Sequence, residues 1–259
     1  MMHAHFVLAH PEPQSFNAHL VRSGAAALER EGWTVSTSDL YAMGFDPCEG
    51  PEHFADRADP ARFDAQAEQR HASEIGALPK AVSDELALMD RADLLVLQYP
   101  MWWHLPPAML KGWFDRVFAY GAVYTSKRRF ENGRFVGKRA MLSVTVGTSR
   151  QTYAHDGRSG DIDLLLWPVN FSLAYVGYEV LAPFVAYGVE AGLRYSDPAA
   201  VEERLRAVVV DLCAALPRAG ERATISFNRM AEWDADGRIA PGAPVHSPFI
   251  RRRPRLELE

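Results

Sequence analysis

Apolar runs of strand length alternate along this chain with stretches of helical period. The first run, HAHFVLA over residues 3–9, is short and apolar enough for a buried central strand. Residues 16–31 follow as a helix with Phe16, Leu20, Ala27 and Leu28 on one side. WTVSTS (33–38) reads as a second strand, 80–91 as a helix that aligns Val82, Leu86 and Met89, and ADLLVLQY (92–99) as the third strand, the clearest strand signal in the chain. Pro106-Pro107 opens a helix to about residue 118, since a missing N–H has no intrahelical partner in a first turn anyway. KRAMLSVTV (138–146) reads as the fourth strand, and 161–175 as an apolar helix with a kink expected at Trp167-Pro168. EVLAPFVAY (179–187) reads as the fifth strand, and Asp197 then caps a helix begun by Pro198 and ending near 216. Between the second strand and the 80–91 helix, residues 46–78 are rich in Pro, Asp, His and Arg, show no period, and read as irregular.

This alternation predicts an α/β fold: a doubly wound, five-stranded parallel sheet with helices on both faces, built from residues 1–218. Residues 219–259 read as a loop-rich extension that wraps the domain or a partner subunit. In such sheets ligands bind beyond the carboxyl ends of the strands, near the switch point. The loops after strands one, three and four therefore become the places to look for chemistry.

Composition narrows the function classes. A chain of 259 residues with 48% hydrophobic content can bury one large core, and its net charge of -5 does not favour nucleic acid or an anionic membrane. The basic cluster Arg251, Arg252, Arg253 and Arg255 reads as a solvated tail. Cys48 and Cys213 form no CxxC pair, so neither a disulfide framework nor a metal site is expected. No signal-peptide pattern and no apolar run near the ~20 residues of a membrane span occur, and the expectation is a cytoplasmic protein. There is no G-x-S-x-G elbow and no HExxH pair to support a hydrolase.

The first loop, HPEPQSFN, enters a helix. Ser15 can cap it or offer a hydroxyl to an anion, the free N–H groups of the first turn attract phosphate, and Asn17 adds an amide donor beside His10. An ordinary capped helix accounts for the same pattern. The second loop, QYPMWWHLPP, is stiffened by three prolines, and one of its two adjacent tryptophans can pack inward while the other lines a pocket for a planar ligand. Both covering the sheet end is the plain alternative. In the third loop, TVGTSRQTY, Gly147 permits close backbone approach, Thr148 and Ser149 bring hydroxyls and Tyr153 a phenol; alone it reads as a polar turn. The stretch Trp113, Phe114, Val117, Phe118, Tyr120, Val123, Tyr124 is too aromatic to lie wholly on one core face and points to an interface.

HPEPQSFN, QYPMWWHLPPAMLKGWFDRVF and GDIDLLLWPVNFSLAYVGYEVLAPF together resemble the NAD(P)H:quinone oxidoreductase (DT-diaphorase-like) family of the flavodoxin-like fold, over roughly residues 3–215. The resemblance implies FAD (FMN less so), NAD(P)H as hydride donor, transfer to flavin N5 and then to a quinone by a ping-pong mechanism, and a homodimer with active sites at its interface. It places His10, Ser15, Phe16 and Asn17 at the FAD pyrophosphate and Pro100, Met101, Trp102 and Trp103 along the isoalloxazine edge. It places Thr145, Val146 and Gly147 on the far side of the ring, Tyr153 near a flavin carbonyl as a catalytic group, and Tyr124 in the partner's pocket. Four positions depart: Ser159 stands at the family's active-site histidine, Ser126 at a second pocket tyrosine, His104 at an aromatic position and Thr148 at a second glycine. A flavin cradle with an altered substrate pocket is therefore expected. A flavin-binding regulatory subunit of a potassium-efflux system and an azo or nitro reductase are the competing readings.

Overall fold

The computed structural model describes residues 1–190 and 197–252; Arg253 and Arg255 of the basic cluster lie outside them. Strands β1 (His3–Leu8), β2 (Thr34–Asp39), β3 (Leu94–Pro100), β4 (Arg139–Thr145), β5 (Glu179–Val180) and β6 (Phe184–Ala186) form one parallel sheet in the order β2-β1-β3-β4, with β5 and β6 both beside β4. The helices are α1 (Phe16–Arg30), α2 (Ala65–Glu74), α3 (Lys80–Arg91), α4 (Ala108–Val117), α5 (Ile162–Tyr175) and α6 (Pro198–Ala215). Alternate side chains of each strand serve opposite faces. Phe6, Leu8, Leu94, Val96 and Met141 pack with Leu20, Leu28 and Leu212 of α1 and α6. Val7, Leu95, Leu97, Leu142 and Val144 pack with Leu86, Trp113, Leu166 and Leu173 of α3, α4 and α5.

Two expectations need correction. The fifth strand is divided, because Pro183 has no N–H for the ladder and the Ala182 N–H goes instead to Ala223 O (2.7 Å). The extension closes over this break: Leu181 bridges Thr224, Arg222 donates to the carbonyls of Ala182 and Pro183, and Phe227 packs on Trp167 with ring centroids 4.9 Å apart. The second correction concerns 46–78, which contains α2, capped by Asp64. Its inward face is polar, so no apolar period marks it. Glu68 accepts from Arg57 Nε (2.8 Å) and Ala58 N (2.8 Å), while Gln69 bonds Glu49, Asp115 O and Tyr120 N. The preceding segment lies hard against α4, where a Cβ on Gly112 would fall 2.1 Å from Pro47 O. Helix α5 continues through Pro168 as one element. Among the described residues no helix is long and apolar enough to cross a membrane.

Candidate active site

The three loops meet at the carboxyl edge of β1, β3 and β4, over a buried polar floor. Gln98 Nε2 donates to Asn17 Oδ1 (2.8 Å), and Asn17 Nδ2 donates to Thr145 Oγ1 (3.1 Å). Backbone bonds Ala9 N to Gln98 O (3.0 Å) and Met101 N to Thr145 O (2.9 Å) extend the same joint. Asn17 and Thr145 are thus tied into the base of the site. The amide donor expected at Asn17 is present, and its side chain is buried where it donates to Thr145 and holds strand ends together. Ser15 caps α1, its Oγ accepting from Ala18 N (3.2 Å), and the Phe16 and Asn17 N–H groups have no carbonyl partner within the helix. His10 stands above. Its Nδ1 accepts the Glu12 N–H (3.0 Å), so the neutral ring carries its proton on Nε2, and burial lowers its pKa.

In the second loop Trp102 and Leu105 exchange two backbone bonds (2.9 and 3.0 Å) across a tight turn whose central residues, Trp103 and His104, have φ of 52° and 63°. That left-handed geometry favours Asn and Gly; two bulky residues there store strain. Neither tryptophan packs into the core: Trp102 is 42% exposed, its ring edge-on to His10 at 6.0 Å, and Trp103 is 91% exposed. The inward-packing tryptophan expected from sequence is therefore not found. Pro100 closes β3 and is buried, and Met101 is half-buried against the core.

In the third loop Val146 is buried, while Gly147, Thr148, Ser149 and Arg150 are exposed. A Cβ on Gly147 would meet only Val189 O, at 3.8 Å, so its open side can receive a ring. The loop is stitched shut by Thr152 N to Ser149 O (3.1 Å) and Ser159 N to Thr152 O (3.0 Å), which bring Ser159 back beside the Tyr153 turn. The Tyr153 ring lies 6.4 Å from that of Tyr187, and Arg150 stacks on Tyr187 at 5.1 Å. Tyr187 and Arg150 carry no role in the sequence reading. Only the end of β6, displaced by the break at Pro183, makes them neighbours, and no local pattern announces that.

Tyr124 and Ser126 stand apart from these loops. Tyr124 lines a groove of about 620 Å³ with Phe114, Phe118, Leu165 and Val169, which reaches the second loop through Leu105 and Pro106. Gln66 Nε2 donates to the Tyr124 hydroxyl (3.3 Å), burial raises that hydroxyl's pKa, and Ser126 is exposed. Of the aromatic stretch, Trp113, Val117 and Val123 are buried, whereas Phe114, Phe118 and Tyr124 remain on the groove wall. A second apolar groove, about 780 Å³, starts at Phe16 and His19 beside the first loop and runs along Val201, Leu205 and Val209 of α6. Among the described residues one group of potential metal ligands occurs, Asp46, Glu52 and His53, and it lies outside this edge with both carboxylates exposed.

Comparison with known proteins agrees with this geometry. Residues 2–210 match the family model described as flavodoxin-like fold. The chain is 40% identical over 185 residues to NAD(P)H dehydrogenase [quinone] 1 of Cavia porcellus, covering 71% of this chain and 67% of that one. It is 36% identical over 186 residues to ribosyldihydronicotinamide dehydrogenase [quinone] of Homo sapiens, covering 71% and 80%. Among solved structures, a Klebsiella pneumoniae protein assigned as a quinone reductase superposes with a TM-score of 0.80 at 31% identity, over 95% of this chain and 94% of that one. With its parallel sheet, its three convergent loops and these matches, the chain belongs to the flavodoxin-like-fold family, on the branch of the NAD(P)H dehydrogenases (quinone).

Proposed function

We propose that the chain is a flavin-dependent NAD(P)H:quinone oxidoreductase. The observation that carries this reading is the convergence of exposed Trp103, open-sided Gly147 and half-buried Tyr153 above the Asn17–Gln98–Thr145 floor, a shape suited to a planar ring. Bound flavin would supply hydride acceptance and return, chemistry that no side chain here can perform. The chain's own part is placement and electrostatics. Ser15 and the first-turn N–H groups of α1 would meet a phosphate, with His10 neutral beside them. The Gly147 and Thr148 backbone and the Tyr153 hydroxyl would face the edge of the ring that becomes anionic. The hydrogen-bonded floor would keep that geometry fixed, and the Trp102–Leu105 turn would stand at the edge of the ring.

FAD is favoured over FMN by the groove between α1 and α6, which begins at Phe16 beside the first turn of α1 and would offer an apolar seat for an adenine. A homodimer is supported by the other groove, whose Phe114, Phe118, Leu165 and Val169 leave an apolar strip between α4 and α5 beside Tyr124. The deciding experiment is the visible spectrum of the purified protein before and after anaerobic NADH or NADPH, with the released flavin identified by chromatography. Flavin bands that bleach with donor and return with a quinone are expected. A colourless protein that takes up neither FAD nor FMN overturns the reading.

A further inference from the structure

At the mouth of the site Arg150 has no counter-charge among the described residues. Arg150 is exposed and makes no hydrogen bond or ion pair among the described residues; its contact is the Tyr187 ring, 5.1 Å from the guanidinium carbon. The nearby carboxylates do not serve it. Asp161 caps α5, accepting from Asp163 N (2.9 Å), and Asp163 sits in the first turn, so the helix dipole already favours the charge of both. Tyr187 is fixed at the end of β6, half-buried, with its hydroxyl pKa raised by burial. The Tyr187 face gives the guanidinium a seat, which lowers the entropy cost of fixing it on a ligand below that of a side chain with no contact. Tyr153, Tyr187 and Arg150 form a row leading outward: ring to ring 6.4 Å, then ring to cation 5.1 Å.

We propose that Arg150 selects the hydride donor, binding the phosphate-bearing arm of NAD(P)H once the nicotinamide is near Tyr153. The proposal rests on the flavin reading of the site and adds to it the substrate class the site prefers. Relatives of this chain are named for two donors: NAD(P)H, and a ribosyldihydronicotinamide, a donor without the pyrophosphate. A planar, permanently charged fork is suited to recognise that difference, because it pairs with phosphate oxygens through two parallel N–H bonds. Arg158, exposed in the same loop and stacked on no ring, is the internal control.

The test compares NADH, NADPH and ribosyldihydronicotinamide as donors to one quinone, in the wild-type chain and in Arg150→Gln, Tyr187→Leu and Arg158→Gln. A charge-assisted contact predicts that Arg150→Gln lowers kcat/KM for NADH and NADPH roughly 10- to 100-fold, mainly through KM, and leaves the riboside unchanged. Tyr187→Leu should shift the same ratio less, and Arg158→Gln not at all. In the wild-type chain KM for NADPH should rise with ionic strength, and in Arg150→Gln it should be flat. An equal fall for all three donors, or no change for any, overturns the proposal while leaving the flavin reading standing. A wild-type chain that oxidises none of the three overturns both.

Discussion

Strand β1 carries two histidines and the loop that follows it a third, and the two ends of the strand treat them oppositely. At the start, His3 and His5 are buried among hydroxyls: Thr34 Oγ1 lies 2.7 Å from His3 Nδ1, and Ser36 Oγ lies 2.9 Å from both His3 Nε2 and His5 Nδ1. The seam continues inward through Ser38 to Glu85, which also takes the Trp113 indole N–H (2.7 Å) and faces His5 Nε2 at 3.9 Å. At the other end, His10 has one nitrogen occupied and its ring lies edge-on to Trp102, which leads into two left-handed bulky residues. The comparison teaches how to sort polar groups in this fold. Where they answer one another they hold the structure; where strain and free valence collect, a ligand is expected to complete them.

The largest test of that division is Glu85→Ala. It strips an acceptor from Ser38 and Trp113 and leaves buried His5 beside a void. A loss of about 3–5 kcal/mol is expected in urea unfolding, with turnover per folded molecule unchanged. A fall in turnover with the unfolding midpoint intact would break the comparison. Next in size is Thr145→Val at the floor of the site, which leaves the Asn17 amide without its acceptor. About 1–3 kcal/mol should be lost. Because the floor belongs to both categories, flavin should also be released more readily on dilution, which fluorescence would report.

How far the sequence revealed this arrangement depends on whether the signal was local. Apolar runs, helical period and helix-start signals marked five of the six helices among the described residues and the stretches that hold the strands, with β5 and β6 read as one, since the strands are buried under Leu, Val and Ile-sized side chains. Helix α2 escaped because Glu68 and Gln69 are what it buries. The three loops could be found from their positions after strands, and the motif QYPMWWHLPP singled out the strained turn without revealing its φ angles. The part Asn17 plays in the floor was not legible, because a polar residue after a cap looks the same whether its side chain faces ligand or floor. Tyr187 and Arg150 were invisible: they are 37 positions apart, and a broken strand brings them together.

The strained turn gives a smaller effect, of opposite sign. Replacing Trp103-His104 with Asn-Gly matches the residues to their left-handed backbone. A gain of about 1 kcal/mol, or roughly 2–4 °C in Tm, is expected together with a loss of quinone turnover. Stabilisation with activity retained would mean that the strain serves no ligand and would blur the contrast between the two ends of β1.

The smallest effect separates the two ends by pH. Burial, with Arg91, His5 and Lys138 nearby, lowers the pKa of His3. The folded chain therefore binds this proton less readily than the unfolded one, so stability is full above the unfolded value of about 6.5 and declines as pH falls below it. For Glu85 burial alone would raise the pKa, but His5 and the hydrogen bonds from Ser38 and Trp113 prevail and hold it below the usual range. Its contribution is present above about 4.3 and is lost as pH falls through the depressed value. Unfolding free energy should thus decline in two stages on acidification, first from His3 and then from Glu85. His10 also has a lowered pKa, and being near the ligand-binding edge it should move donor or flavin affinity rather than global stability. Urea melts of His3→Gln from pH 7 to 5 should show the first stage flattened, while His10→Gln keeps it. If His10→Gln removes the first stage instead, the edge of the site carries structural charge after all, and the division between the two ends of β1 fails.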